Sequence, residues 1–246
     1  MGLTVLGSAA EVLLATAHDP YVRGTLRSAE VTGWAGNRAV AWRATDAEER
    51  VSYLMTFGAP TDVAALIAEL LDEVSDRTRV TLPRGTVRLL PAWVAMDGVD
   101  WDFRWLDAPP PVQPAEDRVV EVDGEEVEPL LAIASPTASA LPGDPAVRRW
   151  LGVRGPDGLL ACAADTSAAT GVGHLSSIAT HPAARGQGLG AAVTAALLRR
   201  TLAEGCDLAT LGMYADNTAG RALYDHLGMH DDHRFTSGQL QVRSRW

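Results

Sequence analysis

The sequence predicts a mixed α/β fold in two parts, residues 1–108 and 115–246, and three observations carry that prediction. From residue 174 onward an apolar run, a glycine-rich loop and a helical pattern follow without a gap, the strand, loop and helix order of an α/β unit. In the first part Val63, Leu66, Ile67, Leu70, Leu71 and Val74 recur at helical spacing after two strand-like runs. Between the parts lies Ala108-Pro109-Pro110-Pro111-Val112-Gln113-Pro114, whose prolines make 109–114 a stiff, extended linker and the expected domain boundary.

Taken in order, Ser8 and Glu11 have capping-box spacing ahead of Val12, Leu13 and Leu14, so a first helix is expected to about His18, where Asp19-Pro20 stops it. A second short helix through Arg27 comes next. Arg38 to Thr45 and Arg50 to Phe57 read as two strands joined by a charged turn. Thr61-Asp62 then opens the helix of the apolar stripe. Arg79 to Leu82 is a candidate strand, and Trp101, Phe103 and Trp105 alternate with Asp102 and Arg104, which puts three aromatics on one face of another. That row suits core packing first and the wall of an acceptor pocket second, because aromatic faces accept apolar and cationic ligands.

In the second part Val119 to Val122 reads as a short strand and Val127 to Ala134 as a helix. Trp150 to Arg154 and Leu159 to Ala163 flank Gly155-Pro156-Asp157-Gly158, a hairpin turn. Leu175, Ile178, Ala179 and Thr180 lie on a buried strand that a turn at Pro182 ends. Leu208 to Tyr214 is another strand, placed after the helix.

The loop Arg185-Gly186-Gln187-Gly188-Leu189-Gly190 offers anion binding. The first amides of a helix have no intrahelical partner and sit at the positive end of the macrodipole, so a phosphate there meets several N–H groups at once. Glycine lets the backbone approach closely, and Arg185 adds a planar donor fork suited to phosphate oxygens. By itself such a loop is a weak signal, since helix entries carry glycine for packing too. A second string stands downstream, beyond the strand Leu208 to Tyr214: Asn217-Thr218-Ala219-Gly220-Arg221-Ala222-Leu223-Tyr224-Asp225-His226-Leu227-Gly228-Met229.

Taken together, 174–228 resembles the GCN5-related N-acetyltransferases, whose acetyl-CoA motif runs from a strand through an Arg/Gln-x-x-Gly-x-Gly/Ala loop, a helix and a strand to an Asn-led segment ending Leu-Tyr-x-x-x-Gly-Phe. Met229 stands where the family has an aromatic, and methionine fills similar apolar space. The resemblance implies that fold in the C-terminal half and, for the N-terminal half, a degenerate relative without a cofactor loop. It implies that the strands of Ile178 and Leu211 splay, that backbone groups of Ile178, Ala179 and Thr180 hydrogen-bond the pantetheine arm, and that the loop Arg185 to Gly190 holds the diphosphate. Tyr224, protonated at neutral pH, is then the acid for the departing coenzyme A thiolate. Asn217 contacts the cofactor arm, caps the next helix, or does both. The base is not identified; Asp165, His174 and His181 lie near strand ends.

Composition narrows the alternatives. A net charge of −10 argues against a nucleic-acid partner and is compatible with a cationic acceptor. No apolar run is long enough for a membrane span, and the N-terminus lacks a basic leader, so a cytoplasmic location is expected. Two cysteines fit a reducing compartment, Cys162 as a small residue on a buried strand. All 21 basic residues are arginine, and with abundant alanine and glycine this suggests a GC-rich bacterial source. His226, His230 and His233 do not make a metal site, because Gly228 ends the helix before His230 and no further ligand completes the set. A dinucleotide oxidoreductase fits poorly, since the Gly-x-Gly-x-x-Gly spacing is missing.

The expected function is transfer of acetyl from acetyl-CoA to a primary amine of a small molecule or peptide by direct attack in a ternary complex. The competing expectation is a non-catalytic acyl-CoA sensor. The motif does not specify acceptor, acyl length or oligomeric state, because acceptor pockets are built from loops.

Overall fold

A computed structural model describes residues 2–26, 30–45, 52–73, 78–167 and 171–242. Arg27, Arg50 and Val74 of the expected elements lie outside these residues.

The chain forms two compact units: residues 1–103, 214–216 and 232–246 make the first, and 104–213 with 217–231 the second. The proline-rich stretch 109–114 lies within the second of these units. Two contacts explain this division. The last strand, β12 (His230–Val242), pairs antiparallel with β5 (Thr78–Pro83), Phe235 opposite Pro83 and Gln239 opposite Arg79, which draws 232–246 into the first unit. Gln113 is buried; its Nε2 donates to Pro111 O at 2.9 Å and its Oε1 lies 3.2 Å from His226 Nε2, so the proline-rich stretch is pinned inside the second unit.

The first unit begins with β1 (Thr4–Ser8), α1 (Ala9–Ala15) and α2 (Pro20–Thr25). Ser8 caps α1 by accepting from Glu11 N at 3.3 Å, while the Glu11 carboxylate reaches back to Gly7 N at 2.7 Å. Strands β2 (Glu30–Gly36), β3 (Ala39–Thr45) and β4 (Ser52–Phe57) come next, then α3 (Pro60–Glu69), β5 and β6 (Val94–Leu106). Pairings β1–β2, β2–β3 and β3–β4 are antiparallel, and β4–β5 is parallel with α3 as the crossover. The predicted stripe is the core of this unit: Val63, Leu66 and Ile67 of α3 pack with Leu54, Val80 and Leu82.

The second unit contains β7 (Val119–Val122), α4 (Gly124–Ala134), β8 (Arg149–Gly155), β9 (Gly158–Asp165), β10 (Val172–Thr180), α5 (Leu189–Ala203), β11 (Leu208–Tyr214) and α6 (Thr218–His226). Its strand order is β7-β8-β9-β10-β11, with β7 to β10 antiparallel and β10–β11 parallel around α5. This is the topology of β1 to β5, so the two units repeat one plan: three antiparallel pairings, then a parallel pair with a helical crossover. The repetition is nearly invisible in sequence because a topology constrains burial periods, not residue identities.

Alternation on β6 does not separate a wet face from a dry one. Asp102 and Arg104 are as fully buried as Phe103, and each has charged partners that make burial tolerable.

Candidate active site

The site grows out of the way β10 and β11 part. Their register runs from Val172 opposite Leu208 to Leu175 opposite Leu211 and stops there, although β10 continues to Thr180 and β11 to Tyr214. On its other edge β10 pairs with β9 through Ser176, skips Ser177 and Ile178, and resumes with Ala179 opposite Cys162. This bulge has a visible cause. Ser177 takes φ +49, and its hydroxyl ties both backbone groups of Ala140, accepting from N at 2.9 Å and donating to O at 2.8 Å.

A bulge shifts the side-chain alternation by one. Before it Leu175 packs with the α5-side core; after it Ile178 packs against that same core, while Ala179 turns into the core under α4. Ala179 and Leu189 are both buried in cores, so any cofactor role they have is through their backbone. Ile178 and Thr180 are half-buried at the parting of the strands.

After β10, His181 accepts from Ala183 N through Nδ1 at 3.2 Å, and a 3-10 turn over Pro182–Ala184 leads to the loop. Arg185, Gly186, Gln187 and Gly188 are exposed, and Arg185 Nε lies 3.4 Å from Thr180 O. Gly186 and Gly188 hold φ of +77 and +76, the left-handed region that L side chains avoid. Gly190 serves space instead: a Cβ there would lie 2.9 Å from Thr180 Oγ1 and 3.2 Å from Leu223 Cδ1. Gly188 is the N-cap of α5 and offers no side-chain cap, so the first amides of the helix are presented at an exposed loop.

Tyr224 lies on α6 with 5% exposure, in the same core as Leu189 and Val193. Burial pushes its phenol up to about 12, opposed by the charge of Arg104. Arg104 is wholly buried; its Nη1 is 2.7 Å from Asp225 Oδ1, and its Nη2 is 3.2 Å from Asp231 Oδ2, so it fixes the helix that carries Tyr224. Nothing local in the sequence marks Arg104, since its partners are more than 100 positions away. Asn217 is exposed and accepts from Gly220 N at 2.8 Å, the capping role of the two expected for it.

Of the three candidate bases, Asp165 is buried against Arg148 and Arg149 at 3.5 and 3.4 Å and accepts from Ser167 N, a structural use. His181 caps its turn. His174 pairs with Thr210 one position before the last pair of β10 and β11, its Nδ1 2.8 Å from Thr210 Oγ1. Thr210 donates to Gly173 O at 2.9 Å, so its oxygen is placed to accept from Nδ1–H of His174. Cys162 is wholly buried, and burial pushes its thiol up to about 12, which removes it as a nucleophile at neutral pH.

Residues 137–229 match the Acetyltransferase (GNAT) family. No curated protein matches the sequence. Among solved structures the chain is similar to a GCN5-related N-acetyltransferase from Sphaerobacter thermophilus, 16% identical, covering 98% of this chain and 96% of that one with a TM-score of 0.57. A GCN5-related N-acetyltransferase from Kribbella flavida is 22% identical over 95% and 96% of the two chains, TM-score 0.53. An acetyltransferase of the GNAT family from Colwellia psychrerythraea is 12% identical over 98% and 100%, TM-score 0.51. At these identities the likeness to the structures is one of fold.

Proposed function

We propose that the chain, whose residues 137–229 match the Acetyltransferase (GNAT) family, is an acyltransferase that moves an acetyl group from acetyl-CoA to a primary amine of a small molecule or peptide. The observation that carries this reading is the parting of β10 and β11 after Leu175 and Leu211, beside the uncapped start of α5.

In this reading the pantetheine arm enters the gap as an added strand on the backbone of Ile178 and Thr180. The diphosphate lies on the amides at the start of α5, with Arg185 beside it. The thioester carbonyl meets the N–H of Ile178, which stabilises the oxyanion as the amine attacks. His174 takes the proton from the incoming ammonium, directly or through water, and Tyr224 gives one to the leaving thiolate. A phenol pushed up to about 12 stays protonated through the neutral range, as an acid must.

The test is release of coenzyme A thiol over a panel of primary amines, with His174→Gln beside wild type. Turnover with at least one amine, lowered at least about a hundredfold by His174→Gln, supports the assignments. Tight acetyl-CoA binding with no turnover over the panel would instead favour a sensor.

A further inference from the structure

The first unit repeats the topology of the second but not its chemistry at the corresponding place. Its parallel strands β4 and β5 pair from Ser52 opposite Thr78 to Met55 opposite Thr81 and then run on to Phe57 and Pro83. Where the second unit inserts its glycine loop, only Gly58 and Ala59 separate β4 from α3. Pro60 at the start of α3 has no N–H to offer, and Asp62 adds a negative charge to the first turn. A diphosphate has no cradle there.

Yet the place is not closed. A cleft of about 580 Å³ lies at these strand ends, lined by Phe57, Gly58, Pro60, Pro83, Arg84 and residues 232–235. That volume is in the range of small-molecule sites. Phe57, Pro60, Pro83 and Phe235 supply flat apolar wall.

Arg84 supplies a fixed cation. Its Nη2 is held by Asp102 Oδ1 at 2.6 Å and Trp101 O at 3.0 Å, and its Nε lies 3.4 Å from Asp100 Oδ2. Its Nη1 has no partner among the described residues, so one edge of a positioned guanidinium is unclaimed. Arg234 is a second arginine of the lining, Asp232 is its carboxylate, and His233 has its Nε2 3.1 Å from Asp19 Oδ1. Tyr21 packs against Phe235 at 4.2 Å and His233 at 5.9 Å, and its buried hydroxyl has no hydrogen-bond partner among the described residues.

We propose that this cleft is a second ligand site, selective for a small organic carboxylate with a flat apolar body. Arg84 binds the carboxylate through its unclaimed edge, and the phenylalanines and prolines cover the body. The proposal rests on the geometry of the first unit and stands whether or not the second unit transfers acetyl.

The experiment uses the full chain, isotopically labelled and saturated with acetyl-CoA, followed by amide shifts while benzoate, acetate or benzylamine is added. Benzoate is expected to shift amides of 57–58, 84 and 232–235, acetate to bind at least about tenfold more weakly for want of apolar contact, and benzylamine to leave them in place. Arg84→Lys keeps a charge for buried Asp102 but loses the planar fork, so benzoate affinity is expected to fall at least about tenfold with acetyl-CoA affinity unchanged. The proposal is overturned if benzoate shifts nothing at millimolar concentration, if acetate binds as well as benzoate, if benzylamine shifts the same amides, or if Arg84→Lys binds benzoate as wild type does. The three probes on wild type decide the matter even where Arg84→Lys does not fold.

Discussion

Replacing Tyr224 by Phe removes one oxygen from a side chain that is 5% exposed and leaves its ring volume in the core. Stability should change by no more than about 1 kcal/mol, the size of one hydrogen bond. Catalysis should change far more. A positioned acid is worth about 10² to 10⁴ in rate, or roughly 2.7–5.4 kcal/mol of barrier. The assay is coenzyme A thiol release at saturating amine, with acetyl-CoA affinity measured in parallel. A fall in kcat of that size with affinity kept is expected. The pH profile sharpens the test: with the phenol at about 12 in the fold, about 99% is still protonated at pH 10, where a free tyrosine is half ionised. Wild-type kcat should therefore show no loss near pH 10 that Tyr224→Phe abolishes. Because the folded value lies above the ordinary 10.0, the same burial contributes stability below pH 10 that is lost as pH climbs toward 12. A Phe variant within about threefold of wild type would refute the acid assignment.

Two further outcomes come from local geometry. Gly190→Ala places a Cβ 2.9 Å from Thr180 Oγ1 and should cost about 1–3 kcal/mol in thermal unfolding while weakening acetyl-CoA binding. For His233, burial lowers the pKa, but the hydrogen bond and charge of Asp19, with Asp232, raise it above the ordinary 6.5 overall. Its contribution is thus fully present below pH 6.5 and lost as pH rises through the folded value, so wild type should lose stability over that window relative to His233→Gln, as denaturant titrations at several pH values will read.

The features legible in the sequence are local ones. The loop 185–190 and the segment 217–228 are contiguous strings whose residue types are dictated by backbone conformation and close approach, so their spacing survives in one chain. The apolar stripe of α3 is legible for the same reason, as burial imposes its period. The units are not, because the pairing of β12 with β5 joins positions about 150 apart, and no period in either strand names its partner. Gln113 hides in a proline run that composition alone reads as a spacer. Asp102 and Arg104 look like the wet side of an aromatic strand until their distant partners are known. Ser177 reads as an uninformative serine, although its positive φ and its hold on Ala140 set the bulge that aims Ile178.

In the proposed function acyl-CoA binds at the parting of β10 and β11 and at no corresponding place in the first unit, where Pro60 and Asp62 stand in place of the anion loop. Isothermal titration of acetyl-CoA into wild type and Gly188→Val tests it most directly. Wild type is expected to bind one equivalent per chain, and binding is expected to weaken strongly when a side chain is forced onto a backbone at φ +76. Two equivalents, no binding to wild type, or undiminished binding to Gly188→Val would contradict it.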